Sequence, residues 1–516
     1  METLLERICN HYQITKEEYE KISLPPSFSN LPLLDEDPIV KKAIERLSLM
    51  RDGHKKVLVY GDYDTDGVMS TSILVRSFRE FGIDVSGYLP SRYLDGYGLT
   101  AENVRKIAKN GYSMIFTCDN GVTAHEALQT AKEEGIEVII LDHHEFDSLS
   151  PETDLVIHPL TTHYGEVAIS AGYLSFIFSH ALLGRYDEYL MCLGAISTIS
   201  DMMPFREYNR EIVRLMLETV KKNRYFEIVA LTDKESIDET TFQMEIVPKI
   251  NSVGRLEKGT TINRLIHYFA DPMNPQKEKI AEWINKVNEN RKSITKEGIN
   301  GLDFNPNDAA IVVLTSLPEG LNGLLASRLL SQFQKPIAVF SPTEKNPDVL
   351  VASLRSQEGF NILEALEESK VRLLTKGGHP FAGGCSLQKQ DFEQFKKDFI
   401  FLALKHKLAP KNTDGIEIYL NECNMKSYRL LKTFSPFGLE WEAPKFILRG
   451  LNPTTFTYTR DGKYLSTKLS PDTRLFSFSL NEDSFAMDQK VDLLLTFKLN
   501  EFKGKVTLDL ISERAI

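Results

Sequence analysis

The chain has 516 residues, 42% of them hydrophobic and 26% charged, with a formal net charge of −11. Those proportions fit a globular protein of several domains; no apolar stretch approaches the ~20 residues of a membrane helix, and the acidic balance argues against a protein that coats long DNA through a broad basic face. The five cysteines (Cys9, Cys118, Cys192, Cys385, Cys423) form no C-x-x-C pair, which excludes a zinc knuckle or a disulfide framework, and the charged start METLLERI lacks the apolar core of a signal peptide, so a cytoplasmic location is expected.

Residues 1–50 read as a polar helical segment broken at Pro25 and Pro26. Short apolar runs bounded by turn signals read as buried strands. Three such runs, 57–60 (VLVY), 113–118 (SMIFTC) and 137–141 (EVIIL), are each followed by a helix-like segment. That alternation implies parallel strands in an open α/β sheet. Helices are expected over 67–82, 100–110 and 124–134, with a further strand at 83–89. Beyond residue 142 the pattern turns helical, through 171–183, 188–198 and 209–222. Residues 274–299 form a long charged helix, either a solvated surface helix or a connector between domains. A second α/β pattern follows, with strands at 309–314, 337–340 and 350–354 and helices at 321–332 and 391–405. From about Asp414 aromatic and β-branched residues alternate with turns. Strands at 454–458, 463–469, 475–480, 491–498 and 505–511 fit a small barrel such as an OB-fold.

The three strand ends carry the chemistry. GDYDTDG (61–67), CDNG (118–121) and LDHHE (141–145) place Asp62, Asp64, Asp66, Asp119, Asp142, His143 and His144 just past the apolar runs. Open α/β sheets bind ligands beyond the carboxyl ends of their strands. Asp64, Asp66, Asp119 and His143 should therefore gather at one edge. Uncompensated carboxylates share a small space only when cations neutralise them, and oxygen ligands with one imidazole suit Mn2+ or Mg2+ better than zinc. D-x-D-G alone is an ordinary turn, and a lone His-His pair is more often a surface feature. Their coincidence at neighbouring strand ends favours a site, in which Asp142 would orient an imidazole. Asp201, in AISTISDMMP (195–204), closes an apolar segment; it is either a helix cap or an acid that needs a partner or a metal.

The series GDYDTDG, CDNG, LDHHE and ISDMMP, in that order, resembles the DHH phosphoesterase superfamily, and within it the RecJ-type single-strand-specific exonucleases. PSR (90–92) with GYGL (96–99), KINSVGRL (249–256), Asn288 and Arg291 in NENRK, ASR (326–328), SLRS (353–356), GGH (377–379) with AGG (382–384), PFG (436–438) and NEFKG (500–504) extend the resemblance to the end of the chain. Tyr60 departs from it, standing where many relatives carry a histidine ligand. The resemblance implies a helical segment (1–50), a DHH catalytic domain with a parallel sheet (51–272), a connector helix (273–301), a smaller α/β DHH-associated domain (302–410) and a C-terminal OB-like barrel (411–516). It implies two Mn2+ or Mg2+ ions, one held by Asp64 and Asp119 with Asp62 or water, the other by Asp66, Asp119, His143 and Asp201. Asp142, His143 and His144 would be catalytic, with His144 on the phosphate oxygens. Arg92, Arg255, Ser353, Arg355 and His379 would bind the nucleic acid's phosphates, because guanidinium groups suit two-point contact with phosphate. The implied activity is hydrolysis of single-stranded DNA from the 5′ end to 5′-mononucleotides in repair and recombination. Single-stranded-DNA-binding protein and a helicase are the implied partners, and no membrane is involved. Phe456 and Tyr458, two apart on an expected strand, would share a face that either stacks bases or packs in a core.

Two other enzymes and a scaffold compete. A phosphodiesterase for short oligonucleotides or cyclic dinucleotides would share the carboxylates but needs no terminal barrel. A non-catalytic DHH scaffold tends to lose metal ligands, and Asp64, Asp66, Asp119, His143 and Asp201 are all present here. An NTPase is excluded because GRLEKGTT (254–261) has Thr260 where a phosphate loop needs lysine.

Overall fold

β1 (Lys56–Tyr60) is buried at four consecutive positions, because it lies inside a parallel sheet covered on both faces. The other strands of that sheet are β2 (Asp84–Tyr88), β3 (Tyr112–Cys118), β4 (Glu137–Leu141) and β5 (Val156–Ile157), in the order β2-β1-β3-β4-β5 with every pairing parallel. The crossovers are helices Thr65–Glu80, Ala101–Lys109 and His125–Glu133. The computed structural model describes the chain except Met1, Tyr97, residues 147–152, Asp154, residues 406–413, Met487, Lys503, Gly504 and Ile516. Tyr97 of GYGL and the last two residues of NEFKG therefore lie outside the described residues.

Helices Ala101–Lys109 and His125–Glu133 cover one face of the sheet, enclosing Leu58, Tyr60, Ile115, Leu128 and Ile140. On the other, helix Thr65–Glu80 packs with Ala171–Leu183 and Glu188–Ser200, and Phe78, Phe116 and Phe178 meet with ring centroids 5.1–6.3 Å apart. The latter two helices are buried almost all round, as their unbroken apolar sequence requires.

A second sheet, of β6 (Ile311–Leu314), β7 (Ile337–Pro342), β8 (Val349–Arg355), β9 (Thr375–His379) and β10 (Ala382–Gln388), runs β6-β7-β8-β10-β9. Only β6 and β7 pair in parallel. β9 and β10 were not expected as strands. Their glycines weaken any β signal, and cross-strand pairing alone holds them extended. Helix Lys277–Asn300 buries Ile280, Ala281, Ile284, Val287, Asn288 and Thr295, a buried stripe that is apolar over its first half on an otherwise charged helix.

By contact the residues form two units. One holds Phe28–Met203 and Glu211–Pro410, both α/β sheets included; the other holds Met1–Ser27, Pro204–Arg210 and Lys411–Ile516. In the second unit β11 (Ile416–Ile418), β12 (Phe446–Leu451), β13 (Leu465–Ser470), β14 (Thr473–Ser477), β15 (Val491–Phe502) and β16 (Lys505–Ala515) form a sheet in the order β11-β12-β15-β16-β14-β13. The strand expected at 454–458 is instead a turn, Pro453–Thr455, followed by a single antiparallel bridge from Tyr458 to Leu465; the Thr457 N–H goes to the Thr467 hydroxyl in place of a ladder partner. Phe456 faces inward, edge-on to Phe485 at 5.2 Å, so it packs a core and offers no stacking platform. Helices Leu4–His11 and Lys16–Ile22 each begin with a capping box, Thr3 with Glu6 and Thr15 with Glu18.

Candidate metal centre

The order of the first sheet reverses between β1 and β3, which opens a crevice at the carboxyl ends of those strands. The sequence fills that crevice with acid. Past β1 the chain turns sharply; a Cβ at Gly67 would lie 2.5 Å from the backbone of Asp62, so only glycine lets the loop fold onto the helix. Asp64 caps helix Thr65–Glu80, accepting from the Gly67 N–H at 3.2 Å, and Asp66 is buried in its first turn. Past β3, Asp119 adopts a left-handed backbone with φ +62°, which aspartate tolerates better than most residues. The Asn120 amide nitrogen reaches the carbonyls of Gly61 (3.0 Å) and Cys118 (2.9 Å), tying the ends of β1 and β3 together.

His143 is the hub. Its Nε2 lies 3.2 Å from Asp119 Oδ1, 3.5 Å from Asp66 Oδ2 and 3.5 Å from Asp201 Oδ2. Asp62, Asp64 and Asp119 bring one carboxylate oxygen each within 4.8 Å of one another, and Asp66, His143 and Asp201 converge in the same way. Asp119 thus stands between two adjacent donor sets. Asp201 is the C-cap of helix Glu188–Ser200, so it caps a helix and also faces the cluster. Asp142 stands behind. Its Oδ1 accepts from the backbone N–H of His143 (2.8 Å) and His144 (3.2 Å) and lies 2.8 Å from His144 Nδ1; its Oδ2 accepts from Val122 N–H at 3.1 Å. That hydrogen bond leaves His144 Nε2 as the outward nitrogen.

Burial and mutual repulsion dominate the electrostatics. Burial, then Asp64, pushes Asp62 up to about 8; burial, then Asp66, does the same to Asp201. Burial and the neighbouring acids drive Asp64 and Asp119 upward too. Burial holds His143 below the ordinary imidazole range against the pull of Asp66, which keeps it neutral. For His144, burial is outweighed by the Asp142 carboxylate, which holds its proton up to about 9. For Asp142 burial is outweighed by His144, so this carboxyl stays below its ordinary value. Asp62 Oδ1 is buried with no hydrogen-bond donor. An oxygen-rich set with one neutral imidazole, acids that must otherwise hold protons, and an orphaned carboxylate oxygen together fit a pair of hard divalent cations.

The expected phosphate ligands fall into two places. Arg92 stacks over the Tyr63 ring at 4.2 Å, with its Nε buried and unpartnered. Arg255 donates to Gly320 O at 3.3 Å, and burial followed by Arg92 lowers its proton affinity to about 10. Asp64, Arg291 and Arg355 are the other charges that act on it; Arg92 in turn acts on Asp62 and Asp64, so Arg92 and Arg255 stand near the carboxylates. Among the described residues none of Arg92, Arg255 and Arg355 makes an ion pair. Ser353, Arg355 and His379 sit on the second sheet, where Arg355 pairs with Ala382 and Ala382 with His379, while Ser353 pairs with Gly384 and Gly384 with Gly377. Paired residues share a face, so the three polar side chains stand on one face beside bare glycine. His379 is exposed at its edge strand and reaches none of the carboxylates.

Other contributors had weaker sequence signals. Asp95 accepts from Ser91 N–H (2.7 Å), the Tyr88 hydroxyl (3.0 Å) and Asn103 (3.2 Å), Asn103 donates to the Tyr60 hydroxyl (3.0 Å), and Tyr60 donates to Gly98 O (3.2 Å). This chain of bonds fixes the loop that carries Arg92. It also gives Tyr60 a buried structural task. Asn251, inside the KINSVGRL motif, accepts from Thr65 N–H and Oγ1, both at 2.9 Å.

Comparison with known proteins follows the order of the three sheets. The model of the DHH family N-terminal domain matches residues 56–193, the DHHA1 domain residues 309–403 and the RecJ OB domain residues 415–514. The chain thus carries, in this order, a DHH N-terminal domain, a DHHA1 domain and a RecJ OB domain. The single-stranded-DNA-specific exonuclease RecJ of Bacillus subtilis is 30% identical over 419 residues, covering 78% of this chain but 52% of that protein, so the chain spans about half the relative's length. RecJ of Salmonella typhimurium is 27% identical over 522 residues, covering 92% of this chain and 89% of that protein. The crystal structure of RecJ in complex with Mn2+ from Thermus thermophilus superimposes with a TM-score of 0.84 at 22% identity, over 99% of this chain and 76% of that one, and so shares the fold.

Proposed function

We propose that this protein is a metal-dependent exonuclease that degrades single-stranded DNA from the 5′ end and releases 5′-mononucleotides. One observation carries the reading: Asp62, Asp64, Asp66, Asp119, His143 and Asp201 converge in two adjoining donor sets, with Arg92 and Arg255 near them. Relatives named as single-stranded-DNA-specific exonucleases support the substrate class.

Two Mn2+ or Mg2+ ions would supply Lewis-acid polarisation of the scissile phosphate and an acidified water. Asp62, Asp64 and Asp119 would hold one ion; Asp66, Asp119, His143 and Asp201 would hold the other. His144, kept protonated by Asp142, presents Nε2–H to a phosphate oxygen or to the departing 3′-oxygen. The arginines grip the terminal phosphate and set the register of the strand. Ser353 and His379 add donors on the neighbouring face.

In this reading residues 51–272 carry catalysis, 302–410 read the phosphates and 411–516 hold the strand. On that last part exposed Tyr464 and Phe478 group with half-buried Phe476, centroids 4.7–6.3 Å apart, and Arg474, paired with Asp509, lies over Phe476 at 4.8 Å. Aromatic faces with adjacent cations suit successive unpaired bases. No helix among the described residues is long and apolar enough to cross a membrane; we place the enzyme in the cytoplasm, where single-stranded-DNA-binding protein and a helicase would supply its substrate.

The test is digestion of a single-stranded oligonucleotide, end-labelled and 5′-blocked or free, with Mn2+. Asp119→Ala should lose Mn2+-dependent release of mononucleotides. Retained turnover, or indifference to the 5′ block, would overturn the ligand assignment or the polarity respectively. Faster cleavage of dinucleotides than of long strands would favour a short-oligonucleotide phosphodiesterase.

A further inference from the structure

Asp66 is held unlike any other acid in the cluster. Its Oδ1 accepts from Gly172 N–H at 2.8 Å and from the Ser197 hydroxyl in a very short bond; its Oδ2 accepts from Ala171 N–H at 2.9 Å and turns its remaining side to His143 Nε2 at 3.5 Å. The two backbone donors are the first N–H groups of helix Ala171–Leu183, which have no partner within their own helix. Ser197, fully buried on helix Glu188–Ser200, supplies the third donor. Ser170 Oγ lies 2.6 Å behind Ser197 Oγ. The carboxylate can only accept, so the Ser197 hydroxyl donates to Asp66 and shares that proton with Ser170 Oγ. Gly172 makes the clamp possible, because a Cβ there would lie 2.5 Å from the Ser197 side chain and 3.3 Å from Asp66 Oδ1.

A carboxylate oxygen accepts about two hydrogen bonds. Oδ1 has both, and Oδ2 has one, so a single acceptor direction on Asp66 is left for a cation. We infer that Ser197 is a specificity-determining residue that restricts Asp66 to one-oxygen coordination and thereby selects small octahedral cations, Mn2+ or Mg2+, over Ca2+. Calcium takes six to eight oxygens and often both oxygens of one carboxylate, whereas magnesium-sized ions demand compact octahedral sets. This inference rests on the metal-centre reading above and adds the determinant of ion choice.

The experiment is calorimetric titration of the full-length, metal-stripped protein with Mn2+ and with Ca2+, without nucleic acid. The wild type should bind Mn2+ much more tightly than Ca2+. Ser197→Ala frees one acceptor site on Oδ1 and should lower the Mn2+/Ca2+ affinity ratio on the order of tenfold, the scale on which groups behind a ligand act. Ser170→Ala removes a hydroxyl from the same pocket without touching Asp66, and should leave the ratio unchanged even if it lowers Tm. An unchanged ratio in Ser197→Ala, or an equal shift in Ser170→Ala, would overturn the role of the Ser197 hydroxyl while the metal centre stands. A wild type that binds no Mn2+ would remove the metal centre itself, and the inference with it.

Discussion

Asp119 and its neighbours are costly residues in a metal-free chain, and the cost has a sign that can be measured. Asp62 and Asp201 are pushed up to about 8 in the folded protein, while an unfolded aspartate titrates near 4. Between those values the folded state binds more protons than the unfolded one, so stability must fall as pH rises. In EDTA, Tm should therefore decline from about pH 4 to about pH 8, and Mn2+ should flatten the decline by replacing protons. A level Tm in EDTA across that range would contradict the buried-acid picture. Asp119→Asn keeps a residue that tolerates φ +62° and removes a buried charge. It should match or exceed the wild type in metal-free Tm, yet gain little from Mn2+. At Asp142 the expected readout is different. Burial alone would lower the His144 proton affinity, and the Asp142 hydrogen bond raises it; Asp142→Asn should move the alkaline limb of the kcat profile to lower pH.

At the scale of elements, the arginines depend on three pieces of chain that stitch together. The Tyr93 hydroxyl donates to Arg255 O, Arg255 donates to Gly320 O, and a Cβ at Gly320 would lie 2.4 Å from the Arg255 backbone. Arg92, Arg291 and Arg355 act on Arg255 as like charges, and in the proposed reading a bound phosphate would offset them. Arg255→Ala should raise KM for a 5′-phosphorylated strand by about tenfold or more, as expected for losing a charge-assisted contact, with little change for a 5′-hydroxyl strand. Equal effects on both substrates would place Arg255 elsewhere along the strand. These interlocking contacts were not legible in the chain. KINSVGRL and PSR marked the arginines, but nothing local shows that residues 93, 255 and 320 meet. The glycine-rich β9 and β10 were invisible for a related reason, since a strand without side chains carries no period-2 pattern.

The whole molecule is assembled from discontinuous segments. Arg210 donates to Pro436 O (2.7 Å), Phe434 O (2.9 Å) and Ser435 O (3.0 Å), and Tyr12 stacks on Trp441 at 4.1 Å. The C-terminal part is thus completed by Met1–Ser27 and Pro204–Arg210. A fragment that begins at Asp414 should be poorly soluble, because it exposes Phe434 and Trp441 and leaves those carbonyls without a donor. Arg210→Ala in the full chain should cost about 2–4 kcal/mol by denaturant titration, the scale for opening a buried charged hydrogen-bond set. A cooperatively folded, soluble fragment would refute this dependence.

The parallel α/β lobe and the acids at its strand ends were determined by the sequence itself. Apolar runs with helical crossovers admit few topologies, and any of them brings residues 62–66, 119 and 142–144 to one edge. Tertiary structure alone decided that Asp201 both caps a helix and faces the cluster, that Phe456 turns inward while Phe478 turns out, and that helix Ala171–Leu183 points its first N–H groups at Asp66. Local patterning specifies an element and its burial, but the direction of a single polar side chain is set by whichever distant donor or acceptor must be satisfied there.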